Sequence, residues 1–316
     1  MIDNSTPGLP QALQFGAPPP NWSQPPSPEA SSASPSFSTL YAFGDSLSDV
    51  GNDYAASDGV LPTPVIYSDG RFSNGNLWLQ DLAKQLGLGP VKASLDGGKD
   101  FAYGGAETGG EVLHSVLPID LPSQFAQFLV DDPHPEANAL YTLSIGANDV
   151  IDAISAYASN PSEATTDVQQ AVNNEISFIG DLAAVGARNF SILNVPDLGK
   201  TPAEARDSAV ATQLLSLYNN DLFTDLQALA TKDNLSIHLV DTFALLDFAV
   251  ADPSAFGLKN VTKPVWTGNY YNPLSGHLNA HGATQDKYLF FDHLHPTETG
   301  HEAIAAQAYA GLSVNV

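Results

Sequence analysis

The chain has 316 residues, no cysteine, and 35 acidic against 11 basic side chains, for a net charge of −24. That charge disfavours nucleic acid and anionic membranes as partners, and the lack of cysteine removes disulfides, thiolate metal sites and cysteine nucleophiles. The apolar fraction of 43% permits an ordinary folded core.

Residues 1–36 hold nine of the 23 prolines among many Ser and Ala. Such a segment buries too little surface to offset ordering and reads as a disordered or extended tail, with Phe15 and Trp22 as the residues able to dock on a domain. The opening "MIDNSTPGLPQ" lacks the basic and apolar regions of a signal peptide. No run of 18 or more apolar residues marks a membrane span. Residues 37–316 then read as one folded domain.

From Thr39 onward, short apolar runs alternate with helical patterns. "TLYAF" (39–43), "LYTLSI" (140–145), "NFSILNV" (189–195) and "LSIHLV" (235–240) have the length and composition of buried strands, and "DFAYG" near Phe101 offers a fifth. Val168, Val172, Ile176, Ile179 and Leu182 keep to one helical face. Leu215, Tyr218, Leu222, Leu226 and Leu229 do the same further on, and Ile304, Ala308 and Leu312 make a shorter stripe at the end. This alternation predicts an α/β domain, a parallel sheet covered by helices on both faces. Two long stretches interrupt it, Asp53–Asn76 and Asp252–Gln285, and loops of that length in a compact domain are often functional.

Ligands of an open parallel sheet bind beyond the carboxyl ends of its strands. Four polar clusters are predicted there: Gly44, Asp45 and Ser46; Gly104, Gly105 and Thr108; Gly146, Asn148 and Asp149; Asp292, His295 and Pro296. A serine hydroxyl needs a base to become nucleophilic, histidine is the usual one near neutral pH, and a carboxylate fixes its tautomer. Spacing alone is weak here, since four of the eight histidines have an acid three residues earlier. His295 stands out because Pro296 biases it towards an extended conformation and Thr297 can cap the last helix. Ser46 at a helix start would offer its backbone N–H to an oxyanion, a close-approach glycine at 104 or 105 another, and Asn148 a side-chain amide. Each also has a plainer reading: Ser46 and Asn148 as helix caps, the glycines as a turn, and Asp292, His293 and His295 as metal ligands. Asp49, Asn52 and Asp53 lack the glycine and closing Glu of a calcium loop, and no G-x-S-x-G elbow occurs.

Taken in order, "FGDSLSDVGN" (43–52), "FAYGGAET" (101–108), "IGAND" (145–149) and "FDHLHPTETGH" (291–301) resemble the four motifs of the GDSL esterases and lipases, the SGNH hydrolases. "DGRFSNG" (69–75) and "DPSAFGLKNVT" (252–262) resemble the lecithinase and autotransporter-esterase branch. The resemblance covers about residues 39–312. It implies a three-layer α/β/α sandwich with about five parallel strands in flavodoxin-like order, and a serine ester hydrolase working without cofactor or metal. By position, Ser46 would be nucleophile, His295 base and Asp292 its partner. Ser46 N–H, Gly105 N–H and the Asn148 side chain would form the oxyanion hole, with Gly104 the alternative to Gly105. The resemblance also implies a secreted or extracytoplasmic protein. An acyltransferase would use the same residues, and a silent glycan- or surface-binding module would be expected to have lost one of them. Trp266, Tyr270 and Tyr271 are candidate substrate contacts for an acyl chain or aryl group, or else packing for their loop. The substrate is left among lipid, phospholipid, aryl and carbohydrate-acetate esters. Two positions depart from the family pattern: Asp100 stands where Asn is common, and "KPVW" follows "NVT" where a cysteine is common.

Overall fold

The computed structural model describes residues 36–110, 119–269 and 275–314. Strands β1 (Leu40–Gly44), β2 (Leu140–Ser144), β3 (Asn189–Leu193) and β4 (Ser236–Val240) form one sheet. The helices are α1 (Asn52–Ala56), α2 (Trp78–Gln85), α3 (Leu121–Asp131), α4 (Ala147–Tyr157), α5 (Pro161–Ala184), α6 (Ser208–Asp233), α7 (Thr242–Ala251) and α8 (Glu298–Val314). The tail, with Phe15 and Trp22, lies outside the described residues, as do Tyr270 and Tyr271.

All strand pairs are parallel, in spatial order β1-β2-β3-β4, with Leu40 beside Leu140, Leu140 beside Asn189 and Asn189 beside Ser236. A parallel sheet must be covered on both faces, and alternation along the strands supplies two apolar surfaces. In β1, Tyr41 and Phe43 point into a core shared with α3, α4, α5 and α6, while Leu40 and Ala42 point into a second core with α2 and α8. The result is the three-layer sandwich.

The helical stripes fall where the sequence places them. Val168, Val172, Ile179 and Leu182 are buried along α5, and Leu215, Tyr218, Leu222, Leu226 and Leu229 along α6. Asn160 starts α5 by accepting the Glu163 N–H, with Pro161 at the first helical position.

The expected count of about five strands becomes four regular strands and one extended segment. Residues near Phe101 run beside β1 on the edge away from β2. Phe101 N–H donates to Ala42 O at 2.8 Å and Tyr103 N–H to Gly44 O at 3.1 Å. On the other side, Asp100 pairs with residues 92–94, its O accepting Ser94 N–H at 2.7 Å, and the Asn52 amide donates to Asp100 O at 2.8 Å and Ala102 O at 2.9 Å. Backbone pairing on that side is confined to Asp100, a side chain takes Ala102 O, and the segment stops short of a regular strand. Counted as the second strand in chain order, it gives the order 2-1-3-4-5, the flavodoxin-like arrangement. The order reverses at β1, so the crevice at a switch point opens beyond Gly44.

Candidate active site

Gly44 ends β1 with φ +130°, and a Cβ there would lie 1.9 Å from Ser144 O. The buried Gln124 of α3 holds this strand end, accepting Gly44 N–H at 2.9 Å and donating to Gly44 O at 2.7 Å. The chain then turns. Ser48 and Asp49 N–H donate to Asp45 O at 3.0 and 3.1 Å, and Leu47 N–H to the Asp45 carboxylate at 3.0 Å. No helix begins at Ser46, because α1 starts only at Asn52. The expectation of a helix start is corrected: Ser46 sits in a tight turn capped by Asp45, and the donor character of its N–H owes nothing to a helix dipole. Burial pushes the Asp45 carboxyl up to about 7, against the Leu47 N–H bond that favours its charge.

Across the crevice, residues 291–297 form a second tight turn. Asp292 Oδ1 accepts the backbone N–H groups of Leu294 at 2.8 Å and His295 at 2.7 Å. Asp292 Oδ2 faces His295 Nδ1 at 2.8 Å and accepts the Tyr67 hydroxyl at 2.7 Å. His295 Nε2 lies 2.7 Å from Ser46 Oγ. A ring nitrogen facing a carboxylate carries the proton, so Nδ1–H donates to Asp292 and Nε2 is left to accept the Ser46 hydroxyl. Burial opposes the charge on Asp292, yet the electrostatic attraction and hydrogen bonds of the His295 side, helped by Tyr67, hold its carboxyl below the usual range. Phe72 covers the imidazole, with ring centroids 5.3 Å apart.

The expected Thr297 cap is also corrected. Its hydroxyl donates to Tyr288 O at 2.7 Å, and the first-turn N–H of Glu298 goes to Asn74 Oδ1 at 2.8 Å. A side chain from the loop before α2 therefore caps α8, which ties "DGRFSNG" to the histidine turn.

Asn148 belongs to α4 and donates from Nδ2 to Ala106 O at 2.8 Å, joining that helix to the glycine turn; it caps nothing. Gly146 precedes α4 with φ +96°, where a Cβ would meet the Tyr218 hydroxyl at 2.2 Å. Tyr218 is fixed in turn by Glu175 at 2.5 Å, whose carboxyl burial raises to about 8. Of the two candidate glycines, Gly104 donates its N–H to Asp49 Oδ2 at 3.2 Å. Gly105 is exposed at φ +81°, and among the described residues its N–H meets no acceptor. Asp49 also receives Gly51, Asn52 and Asp53 N–H, so one buried carboxylate locks the serine turn's exit to the glycine turn. The unusual Asp100 joins this lock through Val50 N–H at 2.8 Å and Ala102 N–H at 3.0 Å; burial and the Asp49 charge raise its carboxyl well above the ordinary value.

Ser46, Asn148 and His295 line one cleft whose remaining walls are mostly apolar. Trp266 lies elsewhere: it is 1% exposed and packs edge-on against Tyr67 with Val265, Ala280 and Phe291 around it. His293 is exposed, with Nε2 3.4 Å from Thr267 O. Among the described residues, no three His, Asp or Glu side chains are grouped to hold a metal. Tyr67 and Phe72, from the long polar loop at 53–76, stand against the Asp292–His295 pair, and only the length of that loop signals them in the sequence.

Residues 40–308 match the family model described as GDSL-like Lipase/Acylhydrolase, and the chain belongs to that family. Its reaction class is carboxylic ester hydrolysis by serine. It is 30% identical over 246 residues to a phosphatidylcholine-sterol acyltransferase of Aeromonas hydrophila, covering 77% of this chain and 69% of that protein. It is 29% identical over 284 residues to a thermolabile hemolysin of Vibrio parahaemolyticus (84% and 62%), and 30% identical over 327 residues to esterase EstA of Pseudomonas aeruginosa (90% and 48%). The chain thus spans less than two thirds of the last two relatives. No helix among the described residues is long and apolar enough to cross a membrane.

Proposed function

We propose that the protein cleaves carboxylic esters through an acyl-enzyme on Ser46. The observation that carries this reading is the hydrogen-bonded series Ser46 Oγ, His295, Asp292, with steps of 2.7 and 2.8 Å. Ser46 Oγ attacks the ester carbonyl carbon while His295 Nε2 takes its proton. The carbonyl oxygen becomes an oxyanion held by Ser46 N–H, Gly105 N–H and the second Asn148 Nδ2 hydrogen. Support for Gly105 over Gly104 is the unengaged N–H of the former and the Asp49 bond of the latter. Collapse breaks the bond to the alkoxide, which leaves with the His295 proton. Water then gives a proton to His295 and attacks the acyl carbon, and the acid departs as Ser46 Oγ is reprotonated. Ester plus water yields acid plus alcohol.

A second reading, transfer of the acyl group to an alcohol instead of water, is favoured by the name of the Aeromonas relative. Product analysis with a mixed water and alcohol acceptor separates the two. The reading also places the protein outside the cytoplasm, supported by its family resemblance.

Replacing Asn148 by Ala is expected to lower kcat on nitrophenyl esters by about 10²–10³-fold, the loss typical of one oxyanion donor. Thermal unfolding runs alongside, because the Ala106 bond also goes. A rate equal to wild type would return Asn148 to a purely structural tie between α4 and the glycine turn.

A further inference from the structure

The cleft at Ser46 continues well past the reacting atoms. From Asn148 it crosses Pro196 and Leu198 beyond β3, then runs between α7 and α8 along Leu245, Leu246 and Ala249. Leu258, Leu289 and Phe290 close another wall, themselves packed as one small apolar cluster with Ala249. Beyond the catalytic end, its polar wall groups are threonines: Thr201, Thr242 and Thr299. Phe256 and Thr299 also line a separate, polar depression with Asp286, Lys287, Glu298 and Glu302. Phe256 is therefore part of the partition between an apolar cleft and a charged hollow.

We propose that this cleft receives the acyl chain of the substrate, and that Phe256 is the stop that sets its length. The inference rests on the reading of Ser46 as nucleophile. The apolar walls complement an alkyl chain. A sugar, glycerol or phosphate-bearing alcohol would strand its polar groups among leucines, at a cost that an alkyl chain does not meet. The polar half of the ester must then lie on the open side, where Gly105 is exposed. An acetyl group would leave the cleft unfilled. The cleft offers about 80 Å³. The length of chain it takes is then set where Phe256 closes it.

The test uses nitrophenyl esters of rising acyl length, so that the alcohol stays constant. For wild type, kcat/KM is expected to climb by about fourfold per added methylene while each is buried, then to level off or fall once the chain reaches Phe256. Phe256→Ala joins the cleft to the hollow beyond, so the palmitate-to-octanoate ratio of kcat/KM is expected to rise about tenfold. Leu246→Trp narrows the cleft, so the octanoate-to-acetate ratio is expected to fall by at least as much. Ratios taken within one variant are independent of how much of it is folded, and the wild-type slope stands if neither variant folds. A profile flat or falling from acetate upward overturns the proposal. So does an unchanged ratio in either folded variant, or a chain-length dependence found only with alkyl acetates, which vary the alcohol. Ser46→Ala separates the two levels: retained turnover sinks the catalytic reading, whereas a dead Ser46→Ala beside unmoved ratios sinks the acyl cleft alone.

Discussion

Ser46→Ala is expected to lower kcat on nitrophenyl esters by about 10⁶-fold, the scale found when a triad nucleophile is deleted from a serine hydrolase. The methyl group cannot attack, and His295 then has no proton to accept. The turn itself should survive, since its hydrogen bonds run from Leu47, Ser48 and Asp49 to Asp45 and none needs the Ser46 hydroxyl. Loss of rate with an unaltered unfolding temperature is thus the expected pair of results. Backbone donors and the apolar cleft persist in the variant, which leaves a residual rate above that of water. Substantial turnover by the folded variant would mean that another group performs the attack.

Asp292→Asn is expected to cost about 10⁴-fold in kcat with little change in ester binding. The reason is visible in the pairing of its two oxygens. Oδ1 accepts two backbone N–H groups, from Leu294 and His295, so an asparagine must keep its carbonyl oxygen on that side. Its NH₂ group then faces His295 Nδ1 and the Tyr67 hydroxyl. An amide donor at Nδ1 forces the ring proton onto Nε2, where it points at Ser46 Oγ and removes the base. The tautomer is wrong, though the shape is right. Steady-state kinetics with the folded variant check this, and a loss below about tenfold would assign the orienting role to a group other than Asp292.

Much of the scaffold is legible because its signals are local. Apolar runs at 39–43, 140–145, 189–195 and 235–240 need only a buried parallel sheet to explain them, and β1 to β4 fall within or across those bounds. The stripes of α5 and α6 follow from the 3.6-residue period alone. Residues 101–103 mislead because they carry strand composition, while the side chain of Asn52, some fifty residues earlier, takes the Ala102 carbonyl and backbone pairing on that side ends at Asp100. Ser46 misleads in the opposite way. Gly-Asp-Ser after a strand fits a helix cap, but the Asp45 carboxylate closes a turn first.

The site divides along the same line. Ser46, Asn148, Asp292 and His295 sit within short motifs, so their candidacy can be read from order along the chain. Tyr67 cannot: it reaches Asp292 from 225 residues away, out of a loop with no periodicity. The choice between Gly104 and Gly105 depends on which N–H the Asp49 carboxylate has taken, a tertiary fact. The cleft walls on α7, at 256–258 and at 289–290 read in the sequence as ordinary apolar packing, since a residue facing a cavity and one facing a neighbour share the same hydrophobic pattern. Trp266, chosen as an aromatic in a long loop, is occupied in packing that loop onto Tyr67.

Ester cleavage through Ser46 requires a covalent acyl group on its Oγ. Rapid mixing with nitrophenyl octanoate, acid quenching within the first turnover and peptide mapping by mass spectrometry test it directly. A mass increase of one octanoyl group is expected on the peptide containing Ser46, formed at the rate of nitrophenol release and absent from Ser46→Ala. Nitrophenol release with no adduct, or with the acyl group on another residue, would contradict it.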